Sequence, residues 1–224
     1  MKFLRIPLQL IQVILIFLWT ALAALLGMIL MLFSWNGSWV HKVIGYYFWS
    51  PFVCGICGVR VKIHHADRLR ERDVAIYVAN HSSLFDIVAI ARAVPIGLFF
   101  VAKKELARIP FMGQYMWLIG HIFVDRKNRE QAMQSMKRAA EKIKRGRNVI
   151  SFPEGTRSKT GEIALFKRGS FLIAKEGAID IVPIGIIGAR EVLPSGSSAL
   201  RSGTIHVIIG ERIAGNHSSL LSTE

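Results

Sequence analysis

The chain of 224 residues contains only two cysteines, Cys54 and Cys57. They form a lone Cys-x-x-Cys, and no second pair exists to complete a four-ligand zinc site. His64 and His65 follow closely, but the surroundings are apolar and glycine-bearing, so packing at a membrane edge is expected and a metal is not. So few thiols exclude a disulfide scaffold and agree with a reducing compartment. Acidic side chains are scarce as well: 15 Asp and Glu stand against 29 Lys and Arg, a formal net charge of +14. Internal repeats, low-complexity tracts and long linkers are all missing, which leaves one domain plus an attachment segment. No nucleic-acid motif accompanies the positive charge. A membrane-anchored nucleic-acid-binding protein is therefore kept only as an alternative of a different class, to be tested by salt-sensitive DNA binding.

What is abundant is apolar surface, 52% of residues, and it is concentrated at the N-terminus. Residues 13–33, VILIFLWTALAALLGMILMLF, carry no charge. A helix of ~20 apolar residues matches a hydrocarbon core of ~30 Å, whereas the apolar core of a signal peptide runs ~7–15 residues. Residues 34–57 are again apolar and rich in Trp and Tyr, side chains that favour the headgroup level, with Pro51, Gly55 and Gly58 expected to interrupt a long second span. Lys2 and Arg5 argue for a cytoplasmic N-terminus, and the basic bulk after residue 60 argues that it too is cytoplasmic. One span cannot satisfy both, so a helical membrane hairpin within residues 1–57 is expected, followed by a cytoplasmic domain over 58–224.

From residue 58 onward, short Val- and Ile-rich runs alternate with helical patterns. Strands are expected at 58–63, 74–79, 98–102, 122–124, 148–152, 181–187 and 204–209, and helices at 84–92, 104–119, 130–145 and 167–176. Continuous apolar runs suit strands buried on both faces, and the alternation predicts an α/β domain, a sheet flanked by helices. In the third helix, Ala132, Met133, Met136, Ala139, Ala140 and Ile143 share one face, and Gly146 is placed to end it. Residues 126–147 hold nine Lys and Arg against two Glu, a basic face able to attract anionic headgroups or an acidic protein. Residues 216–224 read as a polar end.

Several strand ends carry polar chemistry. Asn80-His81-Ser82-Ser83-Leu84-Phe85-Asp86 sets an imidazole and a carboxylate five residues apart after the 74–79 run. A histidine can accept a proton at neutral pH while a carboxylate holds its tautomer. Ser83 and Asp86 equally fit a capping box. Residues five apart on one helix point ~140° away from each other, so the pair can meet only if His81 precedes the helix. No nucleophile elbow or metal-ligand set accompanies it, so the hydroxyl to be activated is expected to belong to a substrate. Lys103 and Lys104 follow the 98–102 strand, Asp125 and Arg126 the 122–124 strand, and Glu154, Gly155, Thr156 and Arg157 the 148–152 strand. Glycine lets backbone amides approach an anion, and arginine offers a planar fork of donors to phosphate. Taken singly, each of these also reads as a solvated turn or a surface ion pair. Together they suit a phosphorylated amphiphile with a free hydroxyl.

NHSSLFD resembles the Asn-His-(four residues)-Asp block of the glycerolipid acyltransferases, FPEGTRS their third block, and GHIFVDR the second, with Val124 where isoleucine is frequent. KKELARIPFMG, FKRG and IVPIG resemble the intervening and following segments, in the right order from about residue 74 to 188. The similarity is strongest to the 1-acyl-sn-glycerol-3-phosphate acyltransferase branch. It implies that His81 is the general base and Asp86 its orienting partner, and that Arg126 binds the acceptor phosphate. Glu154, Gly155, Thr156 and Arg157 would shape the acceptor site, and Pro183 would serve catalysis or donor binding. Lys103 and Lys104 rank below the arginines as phosphate ligands. The implied reaction moves an acyl group from coenzyme A or acyl carrier protein to lysophosphatidic acid, giving phosphatidic acid, with no cofactor beyond that co-substrate. Membrane lipids would be partners and the bacterial inner membrane the location. Other lyso-acceptors, glycerol 3-phosphate or a lyso-aminolipid among them, are the nearest alternatives.

Overall fold

The structure is a computed structural model that describes residues 2–69, 74–125 and 127–215, with side chains described from Leu8 onward except that of Arg129. Arg126 and residues 216–224 thus lie outside the described residues. The chain opens with a long helix, α1 (Lys2–Phe33), of which Leu8–Phe33 is long and apolar enough to cross a membrane. A second helical arm returns through α2 (Gly37–His41), a π-helical stretch (Lys42–Trp49) and α3 (Ser50–Ile56). The arms are tied by Trp49 Nε1 donating to Thr20 Oγ1 at 2.9 Å and Gln12 Nε2 donating to the Ile56 carbonyl at 2.9 Å. The expected hairpin is therefore present, but Pro51 and Gly55 do not break its second arm. Pro51 falls in the first turn of α3, and the π stretch just before it loosens the i→i+4 ladder that a proline would otherwise violate. The arm stops at Gly58, whose φ of +62° costs a glycine little.

Seven strands follow: β1 (Val59–His64), β2 (Ile76–Ala79), β3 (Leu98–Lys103), β4 (Ile122–Val124), β5 (Asn148–Ser151), β6 (Ile181–Ile187) and β7 (Gly203–Ile209). They form one mixed sheet in the order β1-β7-β6-β2-β5-β3-β4. β2 to β6 run parallel, while β7 is antiparallel to β6 and parallel to β1. Strand starts and ends match the sequence expectation within two residues, because a sheet covered on both faces demands uninterrupted apolar runs. On β2, Tyr77 and Ala79 enter the core shared with α4 (Phe85–Ala93), and Ile76 and Val78 enter the core shared with α6 (Arg129–Lys144) and α7 (Gly169–Gly177).

Two helical expectations needed correction. Residues 104–119 are not one helix: a 3-10 turn (Lys104–Arg108) gives way to extended Ile109, and α5 (Met112–Ile119) starts after Phe111. Pro110 is the reason, since it disfavours helical geometry at the preceding residue and lacks an N–H. On α6, Ala139 and Ile143 are buried and Met136 packs behind them, but Met133 is exposed at the margin of the stripe. α5 packs on α1 so closely that a Cβ on Gly27 would lie 2.2 Å from the Tyr115 ring, and this contact fastens the hairpin to the domain.

Candidate active site

Both His81 and Asp86 sit at the C-terminal end of β2, the central strand. The turn from Asn80 to Leu84 precedes α4, so His81 lies outside the helix and Asp86 in its first turn, as the spacing required. His81 Nδ1 is 2.8 Å from Asp86 Oδ2, and the same oxygen accepts the Ser82 and Ser83 amides at 2.7 and 2.8 Å. Asp86 is fully buried and His81 is 8% exposed, its ring stacked on Phe152 at 4.1 Å. The capping role and the pairing with histidine thus coexist on one carboxylate. Ser83 completes the helix start, its Oγ accepting the Phe85 amide at 3.0 Å and donating to the Leu193 carbonyl at 2.7 Å. With Nδ1 donating to the carboxylate, a neutral ring carries its lone pair on Nε2.

The third block acts first on the backbone of His81. Glu154 is buried; its Oε1 accepts the His81 amide at 2.7 Å and its Oε2 the Ala164 amide at 3.1 Å. The Ser158 amide donates to the His81 carbonyl at 2.8 Å. Glu154 therefore shapes the site by holding the imidazole-bearing residue, each of its oxygens accepting a backbone amide. Gly155 has φ +72°, and a Cβ there would come within 2.6 Å of Lys167 Nζ. Thr156 is exposed, and Arg157, a half-buried residue, makes no side-chain hydrogen bond or ion pair among the described residues.

The lysines are engaged elsewhere. Lys104 pairs with Asp125, and Lys103 with Glu105 at 3.4 Å. The Lys104 ammonium, helped by the Lys127 amide, holds the Asp125 carboxyl below the usual carboxylate range. Pro183 lies within β6 in register with Val78, its carbonyl accepting the Gly210 amide at 2.8 Å, and its described contacts do not include His81 or Asp86. In the sequence Asn80 stands only as part of the block, but its side chain bonds both the amide and the carbonyl of Ile186, at 2.7 and 2.9 Å, and so locks the end of β2 to β6. An asparagine where a strand stops is a weak signal, because only the neighbouring strand reveals its use.

His121 is packed, not catalytic. Its Nδ1 accepts the Phe100 amide at 2.8 Å, and burial, with His41 and Lys142 nearby, lowers its pKa well below the ordinary 6.5. The unfolded chain protonates this residue below about 6.5 and the folded one does not. Stability must therefore fall with pH below that value, by up to ~1.4 kcal/mol per pH unit for one proton. His121→Gln, which keeps an acceptor for Phe100, is expected to show a shallower drop in melting temperature between about pH 7 and pH 5 than the wild type. Parallel curves would contradict this account.

A histidine–carboxylate pair thus stands at the end of a central parallel strand, in an α/β domain that carries an apolar helical hairpin. The family model described as Acyltransferase matches residues 60–187, more than half of the chain, and the chain belongs to that family. The chloroplastic 1-acyl-sn-glycerol-3-phosphate acyltransferase LPAT1 of Arabidopsis thaliana is 33% identical over 167 residues, 74% of this chain and 47% of the relative. The 1-acyl-sn-glycerol-3-phosphate acyltransferase of Saccharomyces cerevisiae is 38% identical over 130 residues, 57% of this chain and 43% of the relative. The chain thus spans about half the length of these curated relatives. The crystal structure of the 1-acyl-sn-glycerophosphate acyltransferase PlsC from Thermotoga maritima superposes with a TM-score of 0.82 at 24% identity, covering 96% of this chain and 87% of that one. That likeness establishes the fold.

Proposed function

We propose that the protein transfers an acyl group from a thioester of coenzyme A or acyl carrier protein to the sn-2 hydroxyl of 1-acyl-sn-glycerol 3-phosphate, giving phosphatidic acid. The observation that carries the reading is the His81–Asp86 pair at 2.8 Å with Nε2 left for a substrate proton. The names of the curated relatives support the choice of acceptor. As the hydroxyl oxygen attacks the thioester carbonyl carbon, its proton passes to Nε2 and Asp86 stabilises the imidazolium. Collapse of the tetrahedral adduct breaks the carbon–sulfur bond, and the departing thiolate takes the proton back from Nε2. Arg157 holds the acceptor phosphate and so fixes which hydroxyl faces His81; Arg126 is assigned the same task on its sequence block alone. Burial of the pair favours these charge-assisted contacts over water. We place the hairpin in the membrane and the α/β domain on its cytoplasmic side, supported by the apolar run of α1 and the basic balance after residue 60.

The test is a donor-by-acceptor matrix on the purified full chain, with coenzyme A and carrier-protein thioesters against a panel of lyso-acceptors. Arg157→Ala is expected to raise the acceptor KM about tenfold or more, the equivalent of one charge-assisted contact of ~1.5–3 kcal/mol, with the donor KM unchanged. Equal effects on donor hydrolysis would contradict its role. Preference for an acceptor lacking phosphate would overturn the choice of substrate.

A further inference from the structure

Residues 161–168, between the third block and α7, are exposed at every position. Among them Leu165 is 96% exposed, Ile163 63% and Phe166 45%. Lone apolar side chains at a surface need no explanation, but three large ones on a short irregular segment are unusual in a soluble protein. The segment is not slack. The Ala164 amide donates to Glu154 Oε2, and the Lys167 amide donates to the Pro153 carbonyl at 2.9 Å. Glu154 is also the acceptor of the His81 amide, so the apolar tip and the candidate base hang from one carboxylate. The flanks are cationic: Lys159, Lys167 and Arg168 stand against a single carboxylate, Glu162.

The same edge of the sheet exposes Leu84, in the turn that carries His81, and Ile187, at the end of β6. α1 begins at this edge as well. Gln9 Nε2 donates to the Leu200 carbonyl, and Gln12 Nε2 donates to the Ile56 carbonyl just before β1, which runs opposite to β2 and so starts where β2 ends. Leu8, Leu10 and Ile11 are exposed there.

We propose that the 161–168 segment is an interfacial loop that seats Ile163, Leu165 and Phe166 in the surface of an anionic bilayer, with its cationic flanks on the lipid headgroups. Apolar side chains enter the acyl boundary while Lys and Arg stay at the charged surface, and the charge makes attachment depend on anionic lipid. This deepens the acyl-transfer reading: the loop draws the membrane to the mouth of the His81 site, so an amphiphilic acceptor reaches the base without crossing water.

The experiment uses the full chain reconstituted in vesicles. A polarity-sensitive probe is attached to Leu165→Cys, the native thiols Cys54 and Cys57 being buried, and quenching by brominated lipid is measured. Strong quenching is expected in phosphatidylglycerol–phosphatidylcholine vesicles and weaker quenching in phosphatidylcholine alone. A probe on Lys175→Cys, exposed in the last turn of α7, is expected to stay in water. A Leu165 probe in water in both vesicles, or equal quenching at both positions, overturns the proposal. This arm does not depend on the acyl-transfer reading, so its failure is distinct from failure of that reading. In an activity arm, which does depend on it, Ile163→Asp with Leu165→Asp lowers turnover of vesicle-held acceptor about tenfold and spares a water-soluble short-chain acceptor. An equal fall on both acceptors makes the segment a lid over the site and overturns the bilayer assignment, as does no fall on either.

Discussion

His81→Ala is expected to reduce acyl transfer ~10²–10⁴-fold, the range that a positioned general base supplies. The fold should survive, because what holds the turn is independent of the ring. Glu154 accepts the amide of residue 81 and the Ser158 amide binds its carbonyl, whatever side chain stands there. The substitution opens space beside Phe152, at the margin of the core shared with α4, and leaves those backbone bonds in place. Steady-state kinetics run beside a thermal melt separate the two effects. Retained turnover would remove His81 as the base, and a collapsed melt would return it to a structural role.

Asp86 carries the second large effect, and it acts on stability and activity together. Three donors converge on Oδ2, two of them backbone amides in a buried turn. Asp86→Ala strands both amides, at ~1–3 kcal/mol each, and releases the imidazole from its orientation. A large drop in melting temperature together with near-complete loss of turnover is expected. Asp86→Asn separates these contributions. An amide oxygen in the Oδ2 position can accept all three bonds, so the turn is kept at the cost of about 1–3 kcal/mol for an NH2 in the buried, unpartnered Oδ1 position, while the charge that stabilises an imidazolium is lost. Turnover is then expected to fall ~10–100-fold, within what acid–base assistance supplies. Wild-type turnover in Asp86→Asn would reduce the carboxylate to a helix cap.

These two predictions show how one residue can satisfy a bland and a chemical reading at once. Ser83 and Asp86 form the helix start that a capping box describes, and the same carboxylate turns His81. The spacing already contained the condition, since His81 had to stand before the helix for the pair to meet. Other expectations failed where a local rule met a tertiary one. Pro51 was tolerated because the arm widens into a π stretch ahead of it. Pro110, inside an apolar run, divides the expected helix into a 3-10 turn and α5. Glu154 could not be read correctly from its own block, because the amides it serves are ten and 73 residues away in the chain.

By itself the sequence determined what depends on near neighbours. It set the seven strands through runs that only a doubly covered sheet can bury, the amphipathic stripe of α6, the apolar length of α1, and a turn that puts His81 ahead of α4. The tertiary structure alone decided the order β1-β7-β6-β2-β5-β3-β4, the reversal of β1 and β7, the capture of Lys104 by Asp125, and the suspension of both His81 and Ala164 from Glu154. These are contacts between segments distant in the chain. Their free energy exists only once the sheet has closed, so no local pattern of side chains has to announce them.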